Sequence, residues 1–335
     1  MRLSLILFVL LPRDGSVPGD ERRLALPKLR FTPPALLAGL AAAVLACGCG
    51  RSGPVTPARG AFTVVAAENF WGSIAAQLAG ARASVRSVIA SPNTDPHSYE
   101  PNTSDARTIS EARLVILNGV GYDNWAERLL QASPAGGRVV LNVGRVLGLA
   151  PGANPHQWYS HSHVVRVIEQ ITSDYERVDP ADARYFAQRM HALLAVGLAR
   201  YDALRRRIRA RFAGTPVGYS ESVFQPLGRD LGLKLMTPYS FAKAISEGTD
   251  VTAADKQTVD KQVERHLIKV WVYNSQNTTP DVQRVNELVR DAHIPIVSIT
   301  ETLSPASASF QQWQASQLDA LARALGATAQ PGANG

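Results

Sequence analysis

The chain has 335 residues, 45% apolar and 19% charged, a balance that supplies sizeable cores and excludes a disordered or fibrous polypeptide. Thirty-five Lys and Arg face 28 Asp and Glu, a formal charge of +7. Part of that excess sits in Arg22, Arg23, Lys28 and Arg30, ahead of the main apolar run, so it is not by itself a nucleic-acid footprint.

That apolar run, Ala35 to Ala46, leads at once into Cys47-Gly48-Cys49-Gly50. About a dozen apolar residues fall short of the ~20 that cross a bilayer, so basic flank, short apolar stretch, small residues and cysteine read together as a secretory signal. Val44-Leu45-Ala46-Cys47 looks like a lipobox, with Cys47 as the lipid acceptor and Cys49 as the fallback. These are the only cysteines, so with one acylated no disulfide holds the mature fold. Met1 to Leu11 is a separate apolar run broken by Pro12 to Gly19, which implies a long n-region or an early start. Residues 1–50 are therefore expected to be a signal and lipoprotein segment. Residues 51–60, rich in Pro, Gly and small side chains, form a tether, and 328–335 are a flexible tail.

From Ala61, short apolar runs alternate with helical patterns. Strands are predicted at Phe62–Ala66, Val85–Ile89, Leu114–Leu117 and Arg138–Leu141, with helices over 70–79, 103–112 and 122–132. That alternation implies a parallel sheet covered by helices, a first α/β lobe over 61–178. From Asp179 to Gly214, apolar side chains recur at Phe186, Met190, Leu193, Leu194, Leu198, Tyr201, Leu204, Ile208 and Phe212, one face of an α-helix. Asp179-Pro180 supplies an N-cap followed by Pro at the first helical position, and Gly214 a C′ residue. A helix over 180–213 would be ~50 Å long, a spine joining two lobes. Its Arg205-Arg206-Arg207 cluster reads as a solvated face, with membrane proximity the alternative.

The alternation then resumes over 214–327. Strands are predicted at Pro216–Tyr219, Lys234–Met236, Val270–Tyr273 and Ile296–Ile299, and helices over 223–231, 253–265, 280–292 and 310–325. The fold class is thus α/β: two lobes, each a mainly parallel sheet flanked by helices, joined by one long rigid helix.

Four polar residues fall where strands end and loops begin, the edge at which open α/β sheets bind ligands. His97 lies in Asp95-Pro96-His97-Ser98-Tyr99-Glu100-Pro101, a loop stiffened by two prolines. His156 lies in Asn154-Pro155-His156-Gln157-Trp158, a second Pro-His loop. His161 and His163 could extend it to a local cluster, but they are expected to open the next helix and face solvent. Glu221 and Glu301 follow the first and last strands of the second lobe; alone, each would be a carboxylate favoured by a helix N-terminus. Two imidazoles from one lobe and two carboxylates from the other make a competent shell for a divalent first-row metal. Four side-chain ligands leave little room for the reactive water of a catalytic site. No His-Glu-x-x-His helix, Gly-rich phosphate loop, Gly-x-Ser-x-Gly elbow or aromatic–basic platform is present, so binding rather than catalysis is expected, with no nucleic-acid partner.

These motifs resemble those of the metal-receptor lipoproteins of bacterial ABC importers, the family that includes manganese-, zinc- and iron-binding proteins. Asp95 to Pro101 looks like the family's first-ligand loop, and Asn154-Pro155-His156 with Trp158 like its second. Tyr219-Ser220-Glu221 with Leu231-Gly232-Leu233 looks like its third, and Thr300-Glu301-Thr302-Leu303 with Trp313 like its last. The likeness runs from about Phe62 to Leu325. It implies two lobes on a rigid helix, a Mn2+ or Zn2+ ion as cargo between them, and an ABC permease and its ATPase as partners. The protein is then expected on the outer face of the bacterial cytoplasmic membrane, or in the periplasm, held by its lipid. There are departures: the family often has Asp where Glu301 stands, and its zinc members often have a third His where Glu221 stands and a His-rich loop that this chain lacks. The alternatives are a receptor for a chelated metal, such as a siderophore or corrinoid, and a metal-dependent hydrolase.

Overall fold

The computed structural model describes residues 61–94 and 96–327, with only the backbone of His97; Cys47, the tether and the tail fall outside this range. The first half begins with strand β1 (Phe62–Glu68), helix α1 (Asn69–Ala79) and strand β2 (Ala83–Ile89). Helix α2 (Thr103–Ser110), strand β3 (Leu114–Leu117), helix α3 (Asn124–Ala132), strand β4 (Val139–Asn142) and a single turn, α4 (Val143–Val146), follow. The strands form a parallel sheet in the order β2-β1-β3-β4. The two inner strands are the uninterrupted apolar runs: Val64 to Ala67 and Leu114 to Leu117 are buried throughout, as strands covered on both faces must be. The edge strand β2 is only partly buried. Helix α1 lies so close to it that a Cβ on Gly72 would stand 2.0 Å from Ser87 Oγ and displace that hydroxyl.

Helix α5 (His161–Val178) leads through a 3₁₀ turn at Pro180–Asp182 into the spine. The expected single α-helix is α6 (Ala183–Ala192), a π-helical segment (Leu193–Gly197) and α7 (Ala199–Phe212). The Asp179 side chain makes no capping bond. The wide turn has a packing reason: Leu193 and Leu198, five residues apart, are both buried, and the Leu198 N–H donates to the Leu193 carbonyl at 2.9 Å, the i→i+5 pattern. Gly214 ends the spine at φ 80°, a conformation suited to glycine.

The second half contains strand β5 (Pro216–Tyr219), helix α8 (Gln225–Asp230), strand β6 (Lys234–Leu235) and helices α9 (Tyr239–Ser246) and α10 (Ala253–Glu264). Strand β7 (Val270–Asn274), helix α11 (Pro280–Asp291), strand β8 (Ile296–Ile299) and helix α12 (Phe310–Ala327) complete it. Its sheet, order β6-β5-β7-β8, is parallel and repeats the topology of the first. Helix α9 was not foreseen from sequence.

One core runs through both halves. Val64, Trp71, Leu114 and Trp158 belong to the same buried cluster as Phe186, Tyr201 and Ile208 of the spine and Val217, Val270, Val297 and Trp313 beyond it. Polar bonds cross as well: the Phe310 N–H donates to Ser73 Oγ at 2.9 Å, and the Leu303 N–H to Asn69 Oδ1 at 3.1 Å. Every residue of the described cores lies between Phe62 and Leu325, so a chain beginning at Ser52 carries the whole core, and Ser52–Gly335 forms a compact unit of its own.

Candidate metal centre

In each sheet the chain runs outward in opposite directions from the two inner strands, which opens a crevice beyond their carboxyl ends. The candidate residues come from these ends. Glu221 follows β5 after one residue, Glu301 follows β8 after one residue, and His156 is delivered by the loop between α4 and α5. One potential ligand atom from each of His156, Glu221 and Glu301 lies within 4.8 Å of the others, and all three residues are buried, at 0–1% exposure. His156 Nε2 stands 3.7 Å from Glu301 Oε2. His97 occupies the 3₁₀ turn Pro96–Ser98, and its side chain lies outside the described residues.

Each donor is held by a partner. Asn154 Oδ1 lies 2.8 Å from His156 Nδ1 and also accepts the His156 backbone N–H at 3.0 Å. With an acceptor at Nδ1, that nitrogen carries the proton and Nε2 turns its lone pair toward the carboxylates. Asn154 itself is tied to the other lobe, its Nδ2 donating to the Ser222 carbonyl at 2.8 Å. The Asn274 amide, at the end of β7, donates to Glu221 Oε2 and to Glu301 Oε1, each at 2.7 Å. Tyr122 donates its hydroxyl to Glu301 Oε2 at 2.6 Å. Gln276 Oε1 accepts the backbone N–H groups of Glu301 (2.6 Å) and Thr302 (3.0 Å), and its amide reaches back to the Pro92 carbonyl.

Tyr122 is aimed by a strained loop. Gly119, Val120 and Gly121 all have positive φ, 74°, 57° and 83°, and a β-branched residue there is a true outlier. Asp123 holds the loop, accepting the N–H groups of Asn118 (2.6 Å) and Gly119 (2.8 Å). Burial outweighs those bonds and lifts its carboxyl to about 6.

A fourth carboxyl, Glu68, ends β1 with no exposure and no hydrogen bond to either side-chain oxygen among the described residues. Burial, with Asp123 and Glu301 nearby, pushes its pKa well above the usual carboxylate range. Burial and the Glu301 carboxylate beside it likewise push the Tyr122 hydroxyl well up, which keeps it a donor.

His161 and His163 do open α5, but neither simply faces solvent. His161 Nε2 pairs with Asp202 Oδ1 at 2.9 Å, and His163 Nδ1 meets Gln157 Oε1 at 2.7 Å. Neither belongs to the converging group. Tyr122, Asn274 and Glu68 were not anticipated; the only signal available was their position at or just past strand ends.

A buried imidazole with a fixed tautomer facing two carboxylates, inside this two-sheet frame, is a recognisable arrangement. Residues 64–324 match the family model described as ZnuA, zinc-uptake complex component A, periplasmic. The chain belongs to that family. Among curated proteins it is similar to the manganese-binding lipoprotein MntA of Halalkalibacterium halodurans, 28% identical over 158 residues, 45% of this chain and 52% of that protein. The chain thus spans about half the length of this relative. The iron-binding protein YfeA of Yersinia pestis is 26% identical over 72% of this chain and 70% of its own. Among solved structures, the Mn2+ complex of the SBP FpvC from Pseudomonas aeruginosa superposes with a TM-score of 0.64 at 23% identity, covering 80% of this chain and 99% of that one. The Mn-bound periplasmic metal binding protein of Candidatus Liberibacter asiaticus gives 0.67 at 18% identity, over 79% and 99%. These likenesses establish the fold; family members are binding proteins rather than enzymes.

Proposed function

We propose that this chain is an extracytoplasmic receptor that captures a divalent transition-metal ion with His97, His156, Glu221 and Glu301 and delivers it to an ABC permease and its ATPase. The observation that carries this reading is the convergence of three buried donor side chains within 4.8 Å. Two lobes supply them: His156 comes from 61–178, Glu221 and Glu301 from 214–327, and the helix of 179–213 joins the two. His97 is the fourth ligand on this reading, and Gln276 supports it, because its side chain touches both the Glu301 backbone and Pro92, five residues before His97.

Manganese is the proposed cargo and zinc the alternative. Carboxylate oxygens suit Mn2+, no thiolate is on offer, and carboxylates that bind through both oxygens exceed the four-coordination zinc prefers. Affinity will not separate the two, since zinc outranks manganese at almost any such site. Transport decides it: with the gene deleted, manganese supplementation is expected to restore growth and cellular manganese, and rescue by zinc alone assigns the cargo to zinc. Purified protein that binds neither ion in titration calorimetry removes the proposal altogether.

A chelate receptor needs an open cleft. The crevice beside His156, lined by Tyr122, Asn154, Ser222, Tyr239 and Lys243, encloses about 140 Å³, against the ~300–1,000 Å³ of pockets for drug-sized ligands. A hydrolase needs a general base beside a metal-bound water; of the carboxyls left over by the ligand set, Glu68 has its pKa raised by burial and Asp123 is engaged by the Asn118 and Gly119 N–H groups. Lipid attachment at Cys47 belongs to the same proposal; mass spectrometry of the membrane-extracted protein is expected to find diacylated Cys47 as its first residue.

A further inference from the structure

Charge in this chain is segregated. Residues 183–212 carry eight arginines and one acid, Asp202, whereas the rest of residues 61–335 holds 19 Lys and Arg against 24 Asp and Glu. The receptor body is acidic and its spine basic, so the basic cluster is more than an ordinary solvated face.

The spine also has a defined place. Its first part packs at the amino-terminal end of β1, where Phe62 meets Tyr175 and Phe186 at centroid distances of 5.4 and 6.3 Å. Its last part ends at Phe212, just before the amino-terminal end of β5 at Pro216. The candidate ligands follow the opposite, carboxyl ends of the strands. Both ends of the spine therefore lie at the base of the molecule, opposite the strand ends that carry the candidate ligands, while its middle reaches His161 through Asp202. The described fold starts at the same base.

At 100° per residue, the buried side chains Tyr201, Leu204, Ile208 and Phe212 define the inner face of α7. Its outer face is then a ridge of exposed Ala199, Ala203 and Ala210. Arg206 and Arg209 lie on one flank, and Arg200, Arg207 and Arg211 on the other, all exposed. Arg323 of α12 adds a sixth exposed cation beside Arg207 and Arg211. One carboxylate, Asp319, serves Arg200 (2.6 Å) and Arg207 (3.7 Å); Arg206, Arg211 and Arg323 have no ion pair among the described residues. A low alanine ridge flanked by long cationic arms fits an extended, flat, anionic surface better than a pocketed one. Arginine forks match phosphate geometry, and each basic side chain near an anionic bilayer adds to its attraction.

We propose that the outer face of α7, with Arg323, is a docking surface for anionic phospholipid, which holds the receptor in a resting pose that it leaves when, on the function proposed above, its metal face turns to the permease. None of the residues tested belongs to the proposed metal site or to the proposed lipid anchor. The chain from Ser52, which has no cysteine, is mixed with neutral phosphatidylcholine vesicles and with vesicles containing phosphatidylglycerol, and floated on a density gradient. It is expected to float with the anionic vesicles only, and to be released at about 1 M salt, where screening acts within ~3 Å. The triple variant Arg206→Gln, Arg211→Gln, Arg323→Gln is expected to lose at least about tenfold in partitioning, on the scale of three phospholipid contacts. The triple variant Lys261→Gln, Arg265→Gln, Lys269→Gln, which removes the same charge from exposed positions elsewhere, is expected to lose far less. Circular dichroism melting that matches the parent shows that both variants remain folded. Absence of flotation, equal loss in both variants, or binding of the patch to the solubilised permease but not to vesicles overturns the proposal.

Discussion

Tyr122 and Glu301 are 179 residues apart in sequence, yet the tyrosine hydroxyl donates to the carboxylate at 2.6 Å across the two lobes. The bond fixes a candidate ligand before any metal arrives. Partners of this kind are worth 10–100-fold in metal affinity when removed. Tyr122→Phe is therefore expected to weaken Mn2+ binding by about that factor, with faster release in stopped-flow chelation. Unchanged affinity and release would restrict the bond to holding the lobes together.

His97→Ala and His156→Ala are each expected to abolish tight metal binding in titration calorimetry. His161→Ala and His163→Ala are expected to leave it intact, because their side chains are engaged by Asp202 and Gln157. Full binding by both of the first two variants would remove the histidines from the site.

Asn154 gives a more selective test. Its Oδ1 sets the His156 tautomer from 2.8 Å, so Asn154→Leu is expected to cost about 10–100-fold in affinity, while Asn154→Asp, which keeps the acceptor, retains most of it. Equal loss in both variants would show that the Asn154 bond to the Ser222 carbonyl, rather than the tautomer, matters.

The buried acids predict the pH dependence of the metal-free protein. The Glu68 pKa is raised above its ordinary 4.5, and Asp123 is raised from 3.8 to about 6. The folded state therefore holds more protons than the unfolded chain between each ordinary and raised value. Stability is fullest below the ordinary values and is lost as pH rises through those windows: for Asp123 from about 4 to about 6, and for Glu68 from about 4.5 upward. Glu68→Gln, which needs no proton, is expected to flatten the Glu68 part of the fall and to raise the denaturation midpoint on its alkaline side. A variant less stable than the parent at pH 8 would mean that Glu68 is charged in the fold.

Much of this was readable in advance because the signals are local. Phe62–Ala66 and Leu114–Leu117 read as strands from their apolar runs, which burial on both faces explains, and the spine was visible in the spacing from Phe186 to Phe212. His156 stood out by its Pro-His loop, and Asn154 lay two residues away in the same motif. The partners distant in sequence were not legible. Tyr122 and Asn274 act on side chains 179, 53 and 27 residues away, and nothing in their own neighbourhoods marks that use. Glu68, at the junction of β1 and α1, has the local appearance of a helix-start carboxylate, although it makes no side-chain cap bond. The π turn escaped notice because Leu193 and Leu194 together satisfy either spacing to Leu198.

The core shared by both sheets and the spine bears on how a transporter tells a full receptor from an empty one. Swinging the lobes apart would pull Trp158, Tyr201 and Trp313 out of a common packing and into water. Loading therefore leaves the outline of the molecule nearly unchanged, and small-angle scattering should barely register it. On the proposed function, a permease facing such a partner would read cargo not by silhouette but by short surface stretches near the donors, such as the turn that bears His97 and the left-handed loop at Val120.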